Sequence, residues 1–235
     1  MCYHYSLGKS KVALEKKFNA TAGEDVQLPV FHLGAFGGRP TMPVLRADQR
    51  GVFSNMRWGL IPHWSKEEAL KFNTANAAIE GITGKASYRK PIASQRCLVP
   101  ADGFFEWRHE GGIKYPYFIH RPGEELFAFA GIFDEWINKE TGEVIESYSI
   151  LTKEANPFMA KIHNVKKRMP ILVGEEDQEE YLHETDTKKL VEKLQNHWNQ
   201  PELLGHTISK SFQRMPPGQE QREAFEYPEL ALLDA

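Results

Sequence analysis

Only two cysteines, Cys2 and Cys97, occur in the 235 residues. That is too few for a disulfide framework and suits a reducing compartment, so both thiols are expected to be free and the protein to be cytoplasmic. Long hydrophobic runs are also missing. The longest, Phe127 to Ile132 and Ile171 to Gly174, fall far below the roughly 18 residues that a membrane span needs. The N-terminus, MCYHYSLGKSK, is polar and charged where a secretory signal would be apolar, so export is not expected. Positive charge is not in excess: 29 Lys plus Arg face 32 Asp plus Glu, for a formal charge of −3. No global field draws a polyanion, and nucleic-acid binding would need a local patch such as the consecutive Lys166, Lys167 and Arg168. Metal-ligand spacings of the CxxC or HExxH kind are absent. So is a GxxxxGK[ST] loop, since Gly34, Gly37 and Gly38 lack the following lysine and helix. Neither a metal nor a nucleotide cofactor is expected.

The composition that remains is that of a packed globular protein, 41% hydrophobic and 26% charged with a generous 11% aromatic content. Its length suits one large domain. Short β-like runs at Pro43 to Arg46, Val52 to Leu60, Cys97 to Trp107, Tyr115 to His120 and Phe127 to Phe133 predict a curved, mostly antiparallel sheet. Helices are expected at Ser10 to Asn19, Ile82 to Tyr88, Ala155 to Ile162, Glu176 to His183 and Asp186 to Trp198. The class expected is α+β, one domain over residues 1–235, with residues 211–235 a tail packed on its surface.

Several residues could carry chemistry. Cys2 becomes the N-terminal residue if Met1 is removed, which would place an amine and a thiol on one carbon framework. The amine can attack an aldehyde to give a Schiff base, and the thiol can close a thiazolidine ring. Alternatively, Cys2 is a small buried hydrophobe. In the run ADGFFEW, strand alternation puts Phe104 and Glu106 on one face and Phe105 and Trp107 on the other, so Glu106 has aromatic neighbours. Desolvation there would raise its pKa into the range useful for acid–base work, unless that face is wet. His163 follows a helix-like segment and could be a helix cap or a proton shuttle. The lysine pair and Arg168 after it could bind phosphate or simply be solvated. Asn73 and Asn76 suit turns. Trp58 and Trp64 could stack on bases if exposed or belong to the core.

Six strings taken in order, namely the N-terminal Met-Cys, MRWGLIPHW, NAxxE at Asn76 to Glu80, CLVPADGFFEW, LTKEAN and IHNVKKRMPIL, resemble the SOS-response-associated peptidase (SRAP) family from residue 1 to about 172. The resemblance implies a single α+β domain with a barrel-like sheet and peripheral helices. It also implies a protein of the DNA damage response that shields abasic sites in single-stranded DNA by a thiazolidine crosslink. Cys2 would then be the nucleophile, Asn76 would hold the N-terminus or the opened sugar, and Glu106 and His163 would move protons. Pro40 and Trp58 would wedge against bases and Thr152 and Arg168 would hold phosphates, with His4, Arg89, Trp107 and Lys166 also on the DNA path. The family usually has arginine where this chain has His4 and Ala78, and its His-Asp-Arg-Met-Pro is stretched here to HNVKKRMP, which adds Lys166 and Lys167. Residues 18 to 38 match poorly. The expected partner is single-stranded DNA containing abasic sites, bound by a monomer without cofactor. The alternatives are a cysteine peptidase acting on its own Met1 linkage and a noncovalent nucleic-acid- or protein-binding module.

Overall fold

The computed structural model describes residues 2–35, 40–68, 73–198 and 200–231. Met1, Gly37, Gly38 and the end of the Leu230 to Leu233 run lie outside the described residues. The strands are β1 (His4–Leu7), β2 (Thr21–Ala22), β3 (Val30–Gly34), β4 (Thr41–Arg46), β5 (Val52–Trp58), β6 (Asn76–Ala78), β7 (Arg96–Ala101), β8 (Gly103–Glu110), β9 (Ile113–His120), β10 (Phe127–Ile137), β11 (Val144–Glu154), β12 (Arg168–Pro170), β13 (Leu172–Val173) and β14 (Leu204–Thr207). Peripheral helices are α1 (Lys11–Phe18), α2 (Arg89–Ser94), α3 (Pro157–Ile162), α4 (Gln178–His183), α5 (Thr187–Glu192) and α6 (Pro228–Ala231).

The order β5-β4-β7-β10-β11 is antiparallel throughout, and β11 returns to β5 in parallel through Ser147↔Arg57 and Tyr148↔Trp58. This closes a five-stranded barrel and removes its edges, as the expected barrel-like α+β fold requires. Side chains fill the interior: Trp58, Tyr148, Phe129 and Ile150 are fully covered. A second sheet, β14-β9-β8-β1-β3, packs beside the barrel.

The run 97–107 is two strands, because the chain leaves the barrel at Asp102 and enters the second sheet. Alternation then divides β8. Phe104 joins the main core, whereas Phe105 packs with Phe118, Ile208 and Phe212, and Trp107 and Met215 lie against that cluster. The described part of the C-terminal tail is thus packed on the outer face of β8. Gly111 and Gly112 make the two-residue β8–β9 turn with φ of 55° and 80°. A type I′ turn requires positive φ at both positions, which two glycines supply without steric cost.

One helix is displaced from its expected place. Residues 82–84 form only a 3₁₀ turn, and the α-helix starts at Arg89. Pro91 lies in its first turn, where a missing N–H costs nothing. The long hairpin β10–β11 extends beyond the expected Phe127 to Phe133, pairing as far as Ile137↔Val144.

Candidate active site

The second sheet brings the N-terminus to β8: β1 pairs with β8 through Tyr5↔Phe104 and Ser6↔Gly103. Cys2 lies just ahead of β1, fully covered, and its Sγ contacts the His4 carbonyl at 3.6 Å. Asn76, the first residue of β6, donates from Nδ2 to the Cys2 carbonyl at 2.8 Å. Its Oδ1 is buried with no hydrogen-bond partner among the described residues.

His163 ends α3, which starts with Asn156 accepting from the Met159 amide at 2.8 Å and Pro157 in the first turn. The His163 Nε2 stands 3.8 Å from Glu106 Oε2, and its Nδ1 lies 2.9 Å from the Arg168 carbonyl. Glu106 and His163 line a cleft of about 490 Å³ together with Tyr3, His4, Trp107 and Lys166. The four residues expected to be catalytic therefore converge: Asn76 bonds Cys2, and Cys2 directly precedes the cleft-lining Tyr3.

Burial sets the protonation states. Desolvation raises the Glu106 carboxyl to about 7 and lowers the His163 imidazole to about 4. It also pushes the Cys2 thiol up, with the nearby Glu106 carboxylate adding to the effect. Near neutral pH the site thus holds a thiol, a neutral imidazole and a carboxyl that is protonated much of the time. Among the described residues no group of three or more His, Cys, Asp and Glu side chains is arranged to hold a metal ion, and no helix is long and apolar enough to cross a membrane.

The residues expected to contact DNA separate into groups. His4, Trp107 and Lys166 line the cleft. Arg89 is exposed at the start of α2 and Pro40 is half-buried, its carbonyl accepting from the Trp58 amide at 2.8 Å. Two expectations are corrected. Trp58 is a core residue in this structure: it is fully covered, stacked on Tyr148 and donates from its indole N–H to the Ala75 carbonyl at 2.9 Å, so no base can reach it. Thr152 is likewise fully buried, and its carbonyl accepts from Arg168 Nη2 at 2.8 Å, so it orients Arg168 and does not face a phosphate. Arg168 itself forms a two-pronged pair with Glu80 at 2.7 and 2.8 Å.

The cleft also recruits Tyr3, His109, Lys114, Val165 and Gln213, which were not singled out from the sequence. Tyr3 borders Cys2 and could have been named on that ground. His109 and Lys114 meet only through the β8–β9 register, and Gln213 arrives from the tail.

Similarity to known proteins follows the same outline. The family model described as SOS response associated peptidase (SRAP) matches residues 1–215. Abasic site processing protein YoqW of Bacillus subtilis (strain 168) is 38% identical over 147 residues, 62% of this chain and 64% of that protein. Abasic site processing protein HMCES of Gallus gallus is 38% identical over 154 residues, 56% of this chain and 45% of that protein. The matched stretch spans less than two thirds of the length of these relatives. A crystal structure of a Bacteroides thetaiotaomicron protein has a TM-score of 0.87 at 31% identity, covering 96% of this chain and all of that one. Another, from Bordetella bronchiseptica, has a TM-score of 0.74 at 26% identity and covers 88% of this chain. Because the family match takes in the barrel, the second sheet and every residue of the Cys2, Asn76, Glu106 and His163 constellation, this chain belongs to the SOS response associated peptidase (SRAP) family.

Proposed function

We propose that the protein captures abasic sites in single-stranded DNA covalently through Cys2 once Met1 has been removed. The observation that carries this reading is the convergence of Cys2, held by Asn76, with the Glu106 and His163 pair at one cleft. The names of the relatives, abasic site processing proteins, point the same way.

Removal of Met1 turns the Cys2 amide nitrogen into an α-amine with an ordinary pKa of about 8, so a sizeable fraction is unprotonated near neutral pH. The thiol is held protonated by burial. The amine is therefore the first nucleophile, which argues against a thiolate peptidase. Opening of the abasic sugar needs one proton taken from the 1′ hydroxyl and one delivered to the ring oxygen. In the tautomer whose Nδ1–H donates to the Arg168 carbonyl, rather than the one whose Nδ1 accepts from the Arg168 amide, His163 Nε2 is the acceptor for the first, and protonated Glu106 supplies the second. The amine then adds to the aldehyde carbon; its surplus N–H proton passes to the Glu106 carboxylate while His163 returns its proton to the new alkoxide. The carbinolamine hydroxyl leaves as water on receiving the proton that Glu106 has regained. The sulfur attacks the resulting iminium carbon, and the thiol proton passes to the Glu106 carboxylate. Two bonds join Cys2 to the former aldehyde carbon, one water is released, and no oxidant or reductant is consumed.

Mature protein mixed with an abasic single-stranded oligonucleotide is expected to give a heat-stable shifted band. Cys2→Ala should lose it, and Cys2→Ser should give only an imine that survives after borohydride reduction. Absence of a heat-stable adduct with the wild-type protein would overturn the reading.

A further inference from the structure

Two of the groups expected on the DNA path, Arg168 and His4, are already engaged. Arg168 is held by both oxygens of Glu80 and by the Thr152 carbonyl. His4 lines the cleft. Its Nδ1 lies 3.0 Å from His32 Nε2, and the two rings stack. Burial lowers both imidazoles to about 4, so neither carries charge near neutral pH. With a net charge of −3, long-range attraction does not make up the deficit.

Two other cations line the same cleft, Lys114 and Lys166. Both are exposed, and neither is ion-paired among the described residues. They come from separate segments. Lys114 lies on β9 just past the Gly111–Gly112 turn and pairs across the hairpin with His109. Lys166 lies in the loop between α3 and β12. Asn164 stitches these segments together: the His109 amide donates to its Oδ1 at 3.0 Å, and its Nδ2 donates to the His109 carbonyl at 2.7 Å. This side-chain amide takes the place of a neighbouring strand along β8. Lys167, at a φ of 48°, turns the loop back, with its amide on the His163 carbonyl at 2.8 Å and its carbonyl on the Ala155 amide at 2.9 Å. The wall so built also carries Val165, 62% exposed, beside the charges.

We infer that this wall binds the phosphodiester backbone of a single strand entering the cleft, with Lys114 and Lys166 contacting phosphates and Asn164 acting as the positioning residue that holds the loop to β8. The inference rests on the proposed function for the identity of the ligand. It assigns phosphate binding to Lys166, in the loop between α3 and β12, and to Lys114 on β9, and withdraws it from Arg168 and His4.

The salt dependence of binding tests it. Each phosphate contact to a single strand contributes about 0.7 to the slope of log affinity against log salt. Binding of the mature full-length protein to an undamaged single-stranded oligonucleotide would be followed by fluorescence anisotropy over a potassium chloride series. Covalent capture of the abasic oligonucleotide would be measured in parallel. Lys114→Ala and Lys166→Ala should each lower the slope by about 0.7, and the double variant by about twice that. The Lys114→Arg/Lys166→Arg protein should keep the wild-type slope. Asn164→Ala should also flatten it, which a loss of fold stability alone would not do. A wild-type slope in the Lys114→Ala/Lys166→Ala protein, with Cys2-dependent capture intact, would overturn the inference and leave the proposed function standing. Loss of binding and capture in the wild-type protein would sink both.

Discussion

Asp102 and Glu106 are both buried carboxyl groups at one end of the barrel, yet their surroundings differ. Asp102 accepts from the Ser6 hydroxyl at 2.6 Å, from the Gly8 amide at 2.9 Å and from Arg222 Nη1 at 2.8 Å. Together these bonds tie β1 and the C-terminal tail to the point where the chain leaves the barrel. At Glu106, desolvation outweighs the opposing pull of the N-terminal charge and of the Trp107 backbone, so the carboxyl rises to about 7. Its neighbour His163, 3.8 Å away, is kept neutral. A buried carboxyl group tied by three donors links segments of the fold, whereas one dominated by desolvation is set to hold a proton near neutral pH.

The most damaging way to break this contrast is to remove Arg222, which is almost wholly buried against Asp102. Taking one partner from a buried ion pair costs about 3–5 kcal/mol. Arg222→Met should lower the urea unfolding free energy by that amount, and adding Asp102→Leu should restore part of it. An unchanged unfolding midpoint in Arg222→Met would show that the tail is not anchored by this pair. Glu106→Gln should do the reverse, leaving the fold intact while slowing covalent capture by about 10²-fold or more, the usual contribution of a general acid–base group. Equal capture rates for the two proteins would remove Glu106 from the chemistry.

A smaller effect sharpens the comparison through pH. The folded-state pKa of Glu106 is raised, so the folded protein holds a proton there that the unfolded chain has released. Its contribution to stability is therefore fully present below the ordinary carboxylate range and is lost as pH rises through about 7. Relative to Glu106→Gln, the wild-type protein should lose about 2–3 kcal/mol of stability between pH 4.5 and 8. Chemical denaturation of both proteins at several pH values would show it, and parallel pH profiles would contradict the raised pKa. His163 has the opposite sign, since its folded pKa is lowered and its contribution is lost as pH falls from about 6.5 through 4. The Glu106→Gln comparison cancels that term because both proteins retain His163.

The sequence was most legible where one strand has two kinds of neighbour. Alternation alone places Phe104 and Glu106 together and Phe105 and Trp107 together, and β8 keeps that division. The flanks of α1 were equally plain, with Ser10 accepting from the Ala13 amide and Asn19 in the left-handed region. Strand ends were less so. β7 and β8 read as one run because Pro100, Asp102 and Gly103 interrupt the apolar pattern only briefly, and sheet pairing is what separates them. Trp58 could not be assigned to surface or core from its string, because barrel closure by the parallel β5–β11 pairing is what covers it.

What the sequence by itself determined was the inventory of chemistry: a thiol at Cys2 that would gain an α-amine on loss of Met1, a carboxyl among aromatics at Glu106, a His163 after a helix, and the order of motifs that marks the family. Those follow from local alternation and from residue types, which need no folded chain to be read. The tertiary structure decided which charges are free to act. Glu80 engages Arg168 from 88 residues away, Arg222 engages Asp102 from 120 residues away, and Asn164 binds His109 across 55 residues. Such contacts have no periodicity along the chain, because they arise only when barrel closure and the second sheet bring distant segments together.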